Sequence, residues 1–535
     1  MDDFFYITTP IYYVNDEPHI GHAYTTILAD VLARFARLRG RPTFFLTRVD
    51  EHGQKVQNAA RKLDVDPQTY VDEMTLRWQA TWKRLNISYD DFIRTTQPRH
   101  VRVVQHVLQD LWQRGEIYRG EYEGWYCVTD ERFWTEKDLV NGLSPDEGLC
   151  PECGRPVERI VEANYFFRMS AYQGWLVEYI HTHPDFIRPE WRRNEVLGFL
   201  RQPLEDLCIS HPASRLNWGI PLPFDPAYVT YVWFDALLNY VTAAGYLQPQ
   251  NTGVEDSVLP QADFETVWPN AIHLIGKDIL TTHSVYWPTM LKAAALPQPR
   301  GIFAHGWWVL EGAKISKSRG GTVKPLELAD AYGVNALRYF LLRDMTLGQD
   351  AEFSRERLDS RYTIDLANNL GNLLQRLTQL AARRGGTIPH PASGGETDLD
   401  RQLRTQCTAL PQQVFDLVED FAVNQALERV FDTLTAVNQY LETTAPWKAA
   451  KAGDSDRLGT ILYTSCEALR LCSVLISPVM PEKAAEVWQR LGWQPPISLA
   501  EGLTWGGLQP GGIISVDEPL FPRKEGVKPQ TLLQK

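Results

Sequence analysis

Residues 4–35 read FFYITTPIYYVNDEPHIGHAYTTILADVLARF. Phe4-Phe5-Tyr6-Ile7-Thr8 is an apolar run of strand length, while Ile27, Leu28, Val31, Leu32 and Phe35 recur at helical spacing. His19-Ile20-Gly21-His22 therefore sits at a strand-to-helix turn. Strand-like and helical runs keep alternating to about residue 115, which predicts an α/β fold built on a doubly wound parallel sheet. Free N–H groups at the helix start would face a phosphate. Gly21 would let the backbone approach that ligand closely, and the imidazoles of His19 and His22 can donate to phosphate oxygens. Far downstream, Lys314-Ile315-Ser316-Lys317-Ser318 places two mobile ammonium groups in one short segment, suited to a departing polyphosphate. Together the two segments read as a nucleotide-activating site split between two loops.

The 535 residues call for several domains, and 11% aromatic with 22% charged residues suits globular rather than disordered chain. The acidic start Met1-Asp2-Asp3 is unlike a targeting peptide and no apolar run reaches membrane-spanning length, so a cytoplasmic protein without a membrane partner is expected. Seven cysteines argue for reduced thiols or a metal site rather than a disulfide framework. The net charge of −12 does not exclude a nucleic acid, because a phosphate backbone responds to local basic stretches.

Residues 1–115 form the first half of a Rossmann-like domain and 116–221, rich in Trp, Tyr, Gly and Pro, an inserted connective domain. Residues 222–310 complete the sheet, with strand-like signals at 228–234, 271–276 and 301–308. A lysine-loop region follows at 311–354, then an α-helical bundle at 355–505 and an extended tail at 506–535. Apolar residues at helical spacing cover 364–380, 414–441 and 461–487, and 387–395 reads as a surface loop.

The motifs carry a resemblance. Thr9-Pro10-Ile11-Tyr12-Tyr13, the His19–His22 turn, Asp50-Glu51-His52-Gly53, Tyr231-Val232-Trp233-Phe234-Asp235-Ala236, Ile275-Gly276-Lys277-Asp278-Ile279, the Lys314–Ser318 loop and Ala445-Pro446-Trp447 follow one another in order along essentially the full length. In this the chain resembles the methionyl-tRNA synthetases, class I aminoacyl-tRNA synthetases of the compact bacterial type. The resemblance implies attack of methionine's carboxylate on the α-phosphate of ATP, release of pyrophosphate, and transfer of the methionyl group to the terminal ribose of methionine tRNA, initiator and elongator alike. Mg²⁺ accompanies the ATP phosphates.

Residue by residue, it implies phosphate contacts for His19, Gly21 and His22, and leaving-group contacts for Lys314, Ser316 and Lys317. Gly276 and Asp278 fall at the ATP ribose, and His305 and Gly306 near the adenosine. Asp50 would pair with the substrate ammonium, while Ile11, Tyr13, Trp233, Ala236, Tyr240, Ile279 and His283 would surround the thioether, with hydrogen bonding by Tyr or His favouring sulfur over hydrocarbon. Asn368, Asn372, Arg376, Pro446 and Trp447 match the anticodon readers. By residue type alone, Trp233 and Tyr240 are ordinary core aromatics, Trp447 a packing residue, Asp50 a cap, and Asn372 with Arg376 a solvated face.

Cys127-x-x-Asp130 and Cys150-x-x-Cys153 have the spacing of a zinc knuckle, with Asp130 where a fourth Cys is usual. Either Zn²⁺ is held with one oxygen ligand, or the knuckle has lost its metal. Ile315 stands for the family's usual Met, Gly321 for Asn, and His211 for Arg, with Arg215 close enough to compensate. Other readings stay open. A leucine, isoleucine or valine enzyme would carry a much larger editing insertion, and a cysteine-specific one a thiolate site near the first signature. A small nucleotidyltransferase would need no long helical domain. A non-catalytic paralogue would be expected to lack His22, Lys317 or Asp50. A monomer is expected, since no oligonucleotide-binding barrel follows the bundle.

Overall fold

The computed structural model describes residues 4–128, 132–134, 139–141, 148–151, 153–230, 233–248, 262–310, 313–314, 323–392, 396–496 and 498–523. The chain forms two compact units: Met1–Pro18, Thr43–Lys83 and Ser88–His305 make the first, and His19–Pro42, Arg84–Ile87 and Gly306–Lys535 the second.

The first unit is built on a seven-stranded sheet. Its strands are β1 (Phe5–Thr8), β2 (Tyr12–Tyr13), β3 (Thr43–Asp50), β4 (Asp91–Arg94), β5 (Ile187–Arg188), β6 (Ala271–Gly276) and β7 (Gly301–His305), in the order β5-β7-β6-β1-β3-β2 with β4 also on β3. Every pairing is parallel. Strands buried on both faces are mostly apolar, which is why β1, the Phe44–Leu46 part of β3 and most of β6 are so. The chain steps outward from β1 to β3 and then returns to its other side with β6. That reversal opens a crevice beyond the carboxyl ends of β1 and β6, the place where such sheets bind ligands.

Two expectations change here. Residues 228–230 join a small antiparallel sheet with Ser210–Pro212 and Ile220–Leu222, and Trp233–Ala236 is helical. The extra edge strand of the parallel sheet comes instead from Ile187–Arg188, inside the segment read as an insertion. Within that segment, Ile117–Cys127 and Glu158–Phe167 form a long antiparallel pair.

The second unit contains α1 (Ile20–Leu38), α2 (Val334–Arg343), α3 (Asn372–Ala382), α4 (Asp398–Glu419), α5 (Val423–Thr444), α6 (Pro446–Ala452), α7 (Ser455–Ile476) and α8 (Pro481–Arg490). The helical spacing read across 414–441 is interrupted at Phe421, whose φ of 61° turns the chain between α4 and α5. Likewise Tyr362–Gly371, read as the start of a regular helix, is a π-helix leading into α3.

Helix α7 is, by length and composition, apolar enough to cross a membrane, contrary to the sequence expectation, yet its apolar window is wholly buried inside the protein. It includes an ion pair with no exposed side-chain area, Glu467 with Arg470 at 2.6 Å. Glu467 also accepts N–H bonds from Gly506, Gly507 and Leu508, and Arg470 donates to the carbonyls of Gly502 and Thr504, so this pair straps the tail to the bundle. Replacing Glu467 by Ala leaves a buried guanidinium unpaired. It should lower unfolding stability by about 3–5 kcal/mol and speed amide exchange at Gly506–Leu508, read by denaturant titration and hydrogen exchange.

Candidate functional site

In the first unit the candidate residues gather around the sheet's carboxyl ends. Tyr13 on β2 lies in register with Asp50, the last residue of β3. Asp50 is buried and accepts the His52 N–H at 3.2 Å, a local turn bond rather than the helix cap its residue type suggested, since Gly53 caps the helix that follows. The Lys55 ammonium lies 4.4 Å from the Tyr13 ring centroid. Tyr13 and Trp233 are half-buried and pack on the same small cluster of Leu216 and Val229. Ala236 and Tyr240 are fully buried, and Trp233 and Ile279 pack against the core that holds Tyr240.

The hydrogen-bond chain there fixes the tautomers. The Ile279 carbonyl can only accept, so His283 donates from Nδ1 to it at 3.0 Å, and its bare Nε2 accepts the Tyr240 hydroxyl at 2.7 Å. Burial pushes His283 down to about 3, so it is neutral at physiological pH. Neighbouring His273 is also held neutral by burial. Its Nε2 accepts from the Trp287 indole at 3.1 Å, which leaves Nδ1 to donate to Thr8 at 2.9 Å. Both protons of the Tyr240–His283 pair are thus engaged. The expectation that one of them donates to a ligand gives way to a closed, neutral pair.

At the ends of β6 and β7, Gly276 stands opposite His305. A Cβ at Gly276 would lie 2.5 Å from Asp278 Oδ1 and 3.8 Å from His305 Cε1, so these three candidates converge and only glycine leaves the carboxylate its place. Gly306, in the second unit, is explained by fold: a Cβ there would run into the Gln349 carbonyl.

The histidine turn lies in the second unit. His19 caps α1, its Nδ1 accepting from the Gly21 N–H at 3.0 Å, while His22 Nδ1 accepts from the His19 N–H at 3.3 Å. The rings stack with centroids 3.7 Å apart. Ile20 N–H is spent on the Val323 carbonyl and Ala23 N–H on that of His19. The helix start therefore does not offer its first amides to a phosphate, as the sequence suggested. With both Nδ1 atoms accepting, the donor nitrogen of each neutral imidazole is Nε2. Lys314 pairs with Val309 in a short antiparallel ladder. Its side chain, and Ile315, Ser316, Lys317 and Gly321, lie outside the described residues.

In the bundle, Asn368 and Asn372 are exposed and Arg376 is half-buried, donating to Glu442 at 2.7 Å. Glu442 is near the end of α5, where Ala445 adopts a left-handed conformation (φ 44°) and Pro446 starts α6. Trp447 next to it is 44% exposed, more than a packing role explains.

The sulfur atoms of Cys127, Cys150 and Cys153 lie within 4.8 Å of one another, Cys127 and Cys153 at 3.5 Å. Three thiolates of a tetrahedral zinc site with Zn–S bonds of about 2.3 Å would stand roughly 3.8 Å apart, so the cluster fits. Asp130 lies outside the described residues. His211, buried, meets Glu162 at 2.9 Å, and Arg215 approaches the same carboxylate at 3.6 Å. Burial would raise Glu162, but the bonds from His211 and Asn164 hold it below its usual range.

Sequence reasoning passed over a wholly buried carboxylate, Asp235, which accepts from His52 at 2.6 Å and His100 at 2.8 Å. Its only signal was an acid within an aromatic run. It also passed over Arg48, whose signal was a cation inside the buried strand β3.

Residues 5–378 match the family model of class I tRNA synthetases (M), and residues 400–504 that of the anticodon-binding domain of tRNA ligase. The methionine–tRNA ligase of Caldanaerobacter subterraneus is 45% identical over 100% of this chain and 81% of its own length. That of Thermotoga maritima is 42% identical over 97% and 80%. The crystal structure of Mycobacterium tuberculosis methionyl-tRNA synthetase bound by methionyl-adenylate has a TM-score of 0.89 and 40% identity, covering 97% of this chain and 100% of that one.

Burial alone would raise the Asp235 carboxyl, but the two imidazoles reverse this and hold it below its ordinary 3.8. Its contribution is therefore complete above that value and is lost as pH falls through the depressed pKa. Asp235→Asn should cost about 2–3 kcal/mol at neutral pH, with the gap to wild type closing in acid, measured by urea unfolding across pH.

Proposed function

The chain belongs to the methionyl-tRNA synthetases of class I, and from that membership we propose how its own residues share the work. It activates methionine with ATP to methionyl-adenylate and pyrophosphate, then transfers the methionyl group to the terminal ribose of methionine tRNA. The reaction needs no side-chain nucleophile. The protein must place two anions in contact and stabilise the charge that develops on phosphorus and on the leaving pyrophosphate.

The observation that carries the amino-acid assignment is a carboxylate at the end of β3, beside Tyr13, in a unit where burial keeps the His273 and His283 imidazoles next to Tyr240 neutral. Asp50 takes the substrate ammonium. Ile11, Tyr13, Trp233, Ala236, Tyr240, Ile279 and His283 enclose the side chain. Gly276, Asp278 and His305 take the nucleoside of ATP, and Gly306 follows them in sequence. Gly21 leaves room for the His19 ring, since a Cβ there would lie 2.9 Å from His19 Cε1. His19 and His22 then give their Nε2 protons to phosphate oxygens. Lys314, Ser316 and Lys317 take the pyrophosphate, and Mg²⁺ travels with the triphosphate as part of the substrate.

Asn368, Asn372, Arg376, Pro446 and Trp447 read the anticodon. An exposed indole offers a face for an unpaired base, and Arg376, oriented by Glu442, offers a planar fork for base edges. Initiator and elongator tRNAs share that anticodon and would be read alike. Cys127, Cys150 and Cys153, with Asp130 as the fourth ligand, would hold Zn²⁺, which when bound would tie the turns of the connective segment together. We place the reaction in the cytoplasm, where charged tRNA is consumed, and assign the enzyme as a monomer.

Exchange of labelled pyrophosphate into ATP, tested with each amino acid, should respond to methionine; a response to another amino acid alone would overturn the assignment. Lys317→Ala should slow exchange by about 10²- to 10³-fold with methionine binding nearly unchanged, because its partner charge grows in the transition state. Trp447→Ala should leave exchange intact while raising KM for tRNA. Metal analysis should find about one zinc per chain, lost on alkylation of the three thiols; substoichiometric zinc would sink the knuckle.

A further inference from the structure

Arg48 lies two residues before Asp50 on β3, and its side chain is wholly buried. Its Cζ sits 3.3 Å from the centroid of the Tyr240 ring. Nη1 donates to Asn239 Oδ1 at 3.0 Å and Nη2 to the Thr9 carbonyl, while Nε is buried without a hydrogen-bond partner. Among the described residues no carboxylate pairs with it. Burial pushes its pKa down from the ordinary guanidinium value, opposed by the Tyr6 and Tyr12 phenols, and the intrinsic basicity of a guanidinium keeps it protonated at neutral pH. An unpaired guanidinium in the interior is costly to fold, and this one presses against the ring that ends the amino-acid pocket.

The pocket also poses a question that Arg48 answers. Tyr240 and His283 have spent their protons on each other and on the Ile279 carbonyl, so neither donates to sulfur. Discrimination between a thioether and a hydrocarbon of equal length needs another source. We propose that Arg48 is a specificity-determining residue, a positioning group acting through Tyr240: its permanent charge behind that ring favours a thioether over a methylene and repels a side chain ending in a cation. The inference rests on placing Tyr240 and His283 at the thioether end.

The physics is that of a fixed charge in a medium of low dielectric constant. A thioether carries a dipole with its negative end on sulfur, and its electrons are readily polarised; a methylene has almost no dipole. The field of Arg48 therefore attracts the first and is indifferent to the second. A terminal ammonium meets like charge. Two further features serve the same end. Cation–π contact holds the Tyr240 ring in its plane, and the positive field adds to burial in keeping His273 and His283 uncharged.

Methionine, norleucine and ornithine have side chains of the same number of non-hydrogen atoms, ending in thioether, hydrocarbon and ammonium respectively. In pyrophosphate exchange with the full chain, Arg48→Met and Arg48→Gln should each lower the methionine-to-norleucine ratio of kcat/KM by about tenfold. Inhibition by ornithine should become about tenfold tighter, while Arg48→Lys, which keeps the charge, holds the ratio within about threefold. A merely structural role would slow methionine and norleucine equally. An unchanged ratio in the neutral variants would overturn the proposal. If neither neutral variant folds, Arg48→Lys decides, and a tenfold fall in its ratio would overturn it. Tyr240→Leu separates the two layers of inference. It should raise KM for both amino acids. If it raises neither, the pocket assignment fails and Arg48's role with it; if it raises both while the neutral Arg48 variants keep the wild-type ratio, only Arg48's role fails.

Discussion

One guanidinium organises the second unit. Arg338, with no exposed side-chain area, donates to the equally buried Asp30 at 2.6 Å, to the carbonyls of Pro478 and Val479, and to that of Leu85. Those partners belong to α1, to the turn before α8 and to the short segment Arg84–Ile87. A buried charge tolerates no loose neighbour, so each partner is held where the others require it. This accounts for the division of the chain, in which His19–Pro42 and Arg84–Ile87 fold with Gly306–Lys535 although sequence places them among the strands of the sheet. The histidine turn thus opens a helix anchored in the same body as the helices that match the anticodon-binding family.

Buried charge follows a different rule in the first unit. Asp235 is satisfied by two imidazoles, and Arg48 by an aromatic face, an amide oxygen and a carbonyl. Around Tyr240, the imidazoles of His273 and His283 are held neutral by burial, each in a tautomer fixed by its hydrogen bonds. Such an interior suits an uncharged side chain like that of methionine.

Much of this was legible from the chain. The runs that became β1 and β6 are mostly apolar because both their faces are covered, and the amphipathic stretches of the bundle announce helices. The motifs that contain Asp50, Trp233 and Asp278 were recognisable by their order along the chain. What escaped was set by distance or by scale. Ile187–Arg188 is too short to carry a pattern and is a strand only because β7 lies beside it. Residues 228–234 have strand composition, yet neighbours at Ser210–Pro212 and Ile220–Leu222 draw their first part into another sheet. The first amides of α1 looked free because nothing in the sequence says that a histidine will cap its own helix or that Val323 will arrive there. Arg48 gains its meaning from Tyr240, far along the chain, and no local window joins them.

The π-helix Tyr362–Gly371 works as an angular shim. Its wider turn, closed by i→i+5 bonds where ordinary helix uses i→i+4, sets the azimuth at which α3 leaves it, and with it the bearing of Asn372 and Arg376. Loss of a single residue from regular helix would turn everything beyond it by about 100°, but the wider turn can take up such a loss by relaxing to ordinary helix. The bearing of Asn372 and Arg376 would then hold. Length in this stretch is therefore under looser constraint than in α3 itself, where no slack turn stands in reserve.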